Sequence, residues 1–277
     1  MLLSILSGCI GQPEGIGPRE SVVPLHKEEA SEVFESSMET ERISLDFETY
    51  NGYTEVHLWD EEGFKIEVTK YARGETKEQA KTILEDVQAD LSQESRGETT
   101  TVTLKVEYTG EKQVDTGADV KAYLPRKAFD IIELTSSNGY IRVEEVIASD
   151  VSLESSNGFV EASITADNIW IKTSNGGVKG FFQGKTVNIE TSNGEIDIEC
   201  RDSGRYIVET SNADIVITVG GDFSFDLETS NGDIHVGAGG VTYTVDSRTH
   251  KKGSTAGEPG VSITASTSNA SITVTKK

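Results

Sequence analysis

Thr191-Ser192-Asn193-Gly194 is one copy of a motif that returns through the second half of the chain, and its spacing decides the fold. Ser-Asn, usually followed by Gly, recurs with Asn at 138, 157, 175, 193, 212, 231 and 269, so every interval but the last is 18 or 19 and the last is twice that. Apolar residues repeat with it, six and four places before the Asn and three and five after. Around Asn193 these are Val187, Ile189, Ile196 and Ile198; around Asn231 they are Phe225, Leu227, Ile234 and Val236. Alternation with period two on both sides of a polar corner means two short strands per unit, each with one buried face.

Two arrangements satisfy this pattern. In an antiparallel β meander or sandwich, Asn-Gly makes a tight hairpin and Ile189 faces Ile198. In a β-solenoid the chain winds one coil per repeat, so that equivalent residues stack at the strand spacing of about 4.8 Å. The near-constant coil length, the identical corner residues and a Thr or Ser two before every Asn favour the solenoid. A hairpin needs only some residue tolerant of positive φ, whereas stacked Asn side chains form an amide ladder. In such a ladder Asn193 has neighbours above and below, and Asn269, near the chain's end, has one on one side only.

The 277 residues carry 47 Asp and Glu against 25 Lys and Arg, a net charge of −22, with 35% hydrophobic residues. No basic face can be assembled to neutralise phosphates, which argues against nucleic acid as a partner and against direct adsorption to anionic lipid. The low apolar content suits a narrow solenoid core.

Leu6-Ser7-Gly8-Cys9 resembles a prokaryotic lipobox, in which Cys9 is the lipidated residue. The upstream segment lacks a basic region and is short, so residues 1–8 read as a truncated lipoprotein signal peptide behind a late start codon. Residues 9–41, with Pro13, Pro18, Pro24 and Glu-rich runs, read as a flexible tether. The folded domain spans 42–277. Its first unit, around Asn51, follows the template except for Thr54; one amphipathic helix near the N-terminal end is expected at about 76–92. Thr76 and Gln79 form its capping box, and Ala80, Ile83, Leu84, Val87 and Leu91 share a face. The array is regular from Ile131 to about Val245. Residues 248–260 break the period as a loop with a basic cluster, Arg248, His250, Lys251 and Lys252, before a last coil from Val261 to Val274.

Asn51-Gly52, Trp59-Asp60, the helix with Ala80 and Leu84-Glu85-Asp86-Val87, the strand end Leu124-Pro125 and the Ser-Asn-Gly repeats occur in the order that resembles candidate adhesins with β-strand repeats, related to autotransporter adhesin heads. The resemblance covers roughly 42–277. It implies a β-solenoid on an exported or membrane-associated protein, and no catalytic residues to carry over.

The residues themselves offer little chemistry. His26, His57, His235 and His250 share no metal-ligand spacing and read as tether or outward strand residues. Cys200 has the parity of Ile196 and Ile198, a core position. Glu195, Asp197 and Glu199 alternate along one face, with Asp214, Glu228 and Asp233 in related places; they are the candidates for calcium, against the simpler reading as solvated charges. Among the aromatics Trp59, Trp170, Phe181 and Phe182, the pair Tyr140 and Phe159 stands out. Both lie two after their Asn on adjoining coils, and they are the candidate surface patch.

These readings converge on an acidic surface protein, lipid-anchored to a prokaryotic membrane, acting as an adhesin or envelope scaffold without catalysis or cofactor. Its expected partners are the membrane through the lipid and a cell-surface glycan or protein. The alternative is a polysaccharide-active β-helix enzyme or a carbohydrate-binding module; coils this short leave little loop to build a cleft.

Overall fold

The computed structural model describes residues 25–110, 115–201 and 203–277. In chain order the first elements are β1 (His26–Ser37), β2 (Arg42–Thr49), β3 (Thr54–Trp59), β4 (Gly63–Gly74), α1 (Lys77–Glu85), β5 (Val87–Arg96), β6 (Thr99–Tyr108) and β7 (Thr116–Pro125). The array continues with β8 (Ala128–Ser136), β9 (Ile141–Ser155), β10 (Val160–Thr173), β11 (Val178–Glu190), β12 (Ile196–Cys200), β13 (Gly204–Glu209) and β14 (Ile215–Val219). The chain closes with β15 (Phe223–Thr229), β16 (Ile234–Gly237), β17 (Thr242–Asp246), β18 (His250–Ser254), β19 (Val261–Thr267) and β20 (Ile272–Lys276).

The repeat is a β-solenoid. Strands before and after an Asn corner do not pair with each other; they pair in parallel with their equivalents in neighbouring coils, and β15 takes β18 antiparallel besides. Thus Ile189 stands beside Ile171 and Val208, and Ile198 beside Ile217, with no pairing between Ile189 and Ile198. The meander is thereby excluded. Template residues Val187, Ile189, Ile196 and Ile198 are all buried, each contributing about 1.5–3 kcal/mol.

The corners show why these residues recur. In the order Asn51, Asn138, Asn157, Asn175, Asn193, Asn212, Asn269, Asn231, each Asn after the first donates its Nδ2 to the Oδ1 of the one before it, at 2.5 to 2.9 Å. The amides are mostly exposed; the buried polar column is the Thr or Ser two before. Thr191 Oγ1 accepts from Gly194 N at 3.2 Å and donates to Gly176 O of the next coil at 3.0 Å. Glycine follows Asn for want of space: a Cβ on Gly158 would lie 1.6 Å from Gly139 O. Among the corner glycines only Gly52 has a positive φ, 93°.

Coils do not stack in sequence order at either end. The last coil, β19 and β20, stands between β13–β14 and β15–β16, parallel to both. The first, β2 and β3, stands between β6–β7 and β8–β9. Asn269 is therefore inside the ladder, and Asn231 ends it. The doubled interval between Asn231 and Asn269 marks an insertion in space as well as a second period in sequence.

Three expected boundaries move. Residues 26–37, read as part of the tether, form β1, paired antiparallel with β4 over its whole length. As an edge strand it packs only Ala30 and Phe34 inward and offers no sustained apolar signal. The helix is shorter than 76–92: Thr76 caps it, Gln79 Oε1 accepts from Glu75 N at 2.8 Å, and it ends at Asp86. Ala80, Ile83 and Leu84 bury against Ala72, covering β4 and β1. Val87 and Leu91 belong instead to β5, antiparallel to β6. Val87, Ala89 and Leu91 fit period two as well as 83, 87 and 91 fit a helix, and the ladder of β6 decides. The stretch expected as a loop at 248–260 begins as β18, hairpinned with β17 and laid antiparallel on β15. Cys9 and the remaining segment before residue 25 lie outside the described residues.

Candidate functional site

The outward face of the strands after the corners carries a group of surface aromatics, Tyr53, Trp59, Tyr123, Tyr140, Phe159 and Phe181. Tyr140 and Phe159 stack as their spacing led us to expect, ring centroids 6.5 Å apart and planes 16° from parallel. Phe159 is 39% exposed. Gly177, in the same column on the next coil, leaves room for this ring, since a Cβ there would approach Phe159 Cε2 to 3.0 Å. Tyr140 Oη donates to Glu161 Oε2 at 2.9 Å. Burial, and then this bond to a carboxylate, push the phenol up to about 12.

Beside the pair lies a groove of about 360 Å³, lined among others by Arg142, Glu144, Glu161, Lys179 and Phe181. It opens where β9 and β10 lose register between Ala162 and Ile164. At this bulge Glu145 takes φ 47°, the sole left-handed non-glycine residue among those described. Arg201 lies over the Phe181 ring at 4.7 Å.

His57, expected as an exposed strand residue, is half-buried at the other side of this face. Its Nδ1 lies 3.0 Å from Glu144 Oε2 and its Nε2 3.3 Å from Glu55 Oε2, with the Tyr123 ring stacked at 5.5 Å. Trp59 packs on the same tyrosine at 5.7 Å and donates to Gly63 O. Tyr53 continues the column of Tyr140 and Phe159 and holds Lys121 over its ring at 5.5 Å. Its place two after Asn51 was a readable signal, hidden because Thr54 departs from the template.

Glu195, Asp197 and Glu199 do not converge on a cation. Asp197 faces Lys179 at 3.5 Å, and Glu199 takes Lys277 at 3.0 Å and Arg201 at 3.2 Å. The Lys277 bond holds the Glu199 carboxyl below the usual carboxylate range. Asp214 accepts from Ser271 N, and Asp233 pairs with Arg248. Among the described residues one group of three offers ligand atoms within 4.8 Å of each other: Asp226, Glu228 and His250. Lys252 Nζ already sits 2.7 Å from Asp226 Oδ2 there, so the carboxylate has its counter-charge. Cys200 is buried, and desolvation pushes its thiol far up, which fits a core residue.

The sequence profile of Toastrack DUF4097 matches residues 117–275, more than half of the chain. This chain belongs to the Toastrack DUF4097 family. The family's repeat is thus the part of the solenoid from β7 to β20, and the resemblance read from motif order stands for that stretch. Solved structures resembling this Toastrack chain include a candidate cell adhesion protein from Clostridium sporogenes, at 12% identity and a TM-score of 0.42, covering 90% of this chain and 100% of that one. A candidate adhesin from Bacteroides fragilis aligns at 10% identity and 0.41, covering 89% and 97%. A candidate lipid binding protein from Parabacteroides distasonis aligns at 14% and 0.36, covering 88% and 96%. No curated protein matches the chain.

Proposed function

We propose that this Toastrack protein is a non-catalytic contact module of the bacterial cell surface, an adhesin or envelope scaffold held to the membrane by lipid on Cys9. The observation that carries the reading is the stacked, solvent-facing Tyr140–Phe159 pair beside the Arg142–Glu161 groove. Aromatic area with hydrogen-bonding groups at its margin is the composition of a recognition surface for a sugar ring or a protein loop. Support for the anchor comes from Leu6-Ser7-Gly8-Cys9; no helix among the described residues is long and apolar enough to cross a membrane.

Glycan-array binding with the full chain tests the contact surface. Saturable binding that weakens in Phe159→Ala, without product formation, is expected. Turnover of a bound polysaccharide would replace this reading with that of an enzyme. The anchor is tested by fractionation: Cys9→Ser should move the protein from the membrane to the soluble fraction, and retention of the variant would count against lipid at this residue.

A further inference from the structure

We propose that the partner of this same face is a second copy of the chain, docked face to face about a two-fold axis that lies between the two sheets and runs parallel to their strands. This rests on reading the face as a contact surface and names what it contacts. One outward residue per strand lines up across β7, β3, β9, β10, β11 and β12 in the order Lys121, Glu55, Arg142, Glu161, Lys179, Asp197. The sign alternates at every step, with rungs about 4.8 Å apart. An axis along the strands reverses this row, and six alternating charges read in reverse give the opposite sign at each place, so the run is complementary to its own rotated copy. An axis between Arg142 and Glu161 sets Arg142 against the second copy's Glu161, Glu55 against its Lys179 and Lys121 against its Asp197, each pair occurring twice.

The charges keep capacity for such contacts. Within the chain the rungs approach each other only to 3.8 Å for Lys121–Glu55, 3.9 Å for Arg142–Glu161 and 3.5 Å for Lys179–Asp197. Arg142 also meets Glu144 at 3.2 Å, and Glu55 and Glu161 accept from His57 and Tyr140, yet each retains further N–H groups or lone pairs. Glu67 on β4 extends the alternation beyond Lys121, but Lys65 on its own strand holds it at 2.6 Å; in this register it falls opposite the second copy's Val216, outside the paired run. The strip balances three cations with three anions on a chain of net charge −22. Two copies therefore repel each other elsewhere and least here, where Phe159 comes against the second copy's Tyr140 beside the axis and adds apolar area.

Sedimentation of the full chain over a range of concentrations tests the proposal with two charge reversals, Arg142→Glu and Glu161→Arg. Each alone sets like charges against each other twice across the axis and should raise the dimer dissociation constant by about tenfold or more. Mixed one to one, the new carboxylate at position 142 meets the new guanidinium at position 161, the remaining contacts stay complementary, and the dimer mass should return. Unfolding midpoints equal to that of the parent exclude misfolding; Glu55→Lys with Lys179→Glu is a second complementary pair should either reversal unfold. A parent that stays monomeric, or a mixture that fails to associate while the parent dimerises, overturns the proposal. Glycan binding by a monomeric parent would overturn it too, yet leave the contact-surface reading standing.

Discussion

Asn269 donates its side-chain amide to Asn212 Oδ1 at 2.8 Å, from far along the sequence, and accepts from Asn231 at 2.9 Å. The last repeat of the chain is thereby an inner rung, and the ladder ends on Asn231. Replacing an inner Asn removes one donated and one accepted bond, each contributing about 0.5–1.5 kcal/mol. Asn193→Ala and Asn269→Ala should therefore destabilise alike, by about 1–2 kcal/mol in denaturant unfolding, and Asn231→Ala by less, since no further Asn among the described residues donates to it and its second donated bond, to Ser268 O, is long at 3.3 Å. Alanine is the right probe because no corner Asn has a positive φ. A smaller loss at Asn269 than at Asn231 would contradict the inserted coil.

Gly158 and Gly221 make a matched pair. A methyl on Gly158 would meet Gly139 O at 1.6 Å, whereas one on Gly221 would meet nothing within 4 Å. Gly158→Ala should lower stability by about 3 kcal/mol, the upper range for overpacking, and Gly221→Ala should be neutral or slightly stabilising. The amide-to-hydroxyl bond is made at Gly158, Gly176 and Gly194, while Ala213 and Ala270 at equivalent corners do not make it. The glycine is thus tied to the tight corner and not to the ladder.

The same substitution should act in opposite directions at two threonines. Thr191 is buried with both hydrogen-bonding partners present, so Thr191→Val strands Gly194 N and Gly176 O and should cost about 1–3 kcal/mol. Thr54 Oγ1 is buried without any partner, at a place where the repeat otherwise carries an apolar residue. Thr54→Val should therefore stabilise, by about 1 kcal/mol. Thermal midpoints of the two variants, measured side by side, decide the matter.

Acid should weaken the hold of β18 on β15. The hydrogen bond from Lys252, with His250 adding to it, holds the Asp226 carboxyl below the usual carboxylate range. A depressed folded value means stabilisation that is present above the unfolded value of about 3.9 and lost as pH falls through the folded one. Asp226→Asn should thus be less stable than the parent at about pH 7, and the difference should shrink as pH falls below about 3.9. A difference that does not shrink would show that the carboxylate's charge is not what matters.

The regular part of the solenoid is legible in the sequence because it is built from local, repeated requirements. Stacking demands nearly equal coil lengths and a hydroxyl two before each Asn, and at most corners a glycine after it, and each demand leaves a residue at a fixed interval; the Tyr140–Phe159 pair falls out of the same spacing. What lies beyond the period was settled only by tertiary pairing. Val87 and Leu91 suit a helix face and a strand face equally, and the free edge of β6 chose the strand. His26–Ser37 carries almost no apolar signal, since an edge strand needs one packed face and draws the rest of its stability from the backbone of β4. A doubled interval reads the same whether a coil is skipped or inserted. Only the unpaired edges of β13–β14 and β15–β16, both of which bind β19–β20, put the chain's last coil between them, and only the insertion of β3 between β7 and β9 at the other end aligns Lys121 to Asp197 into one alternating row.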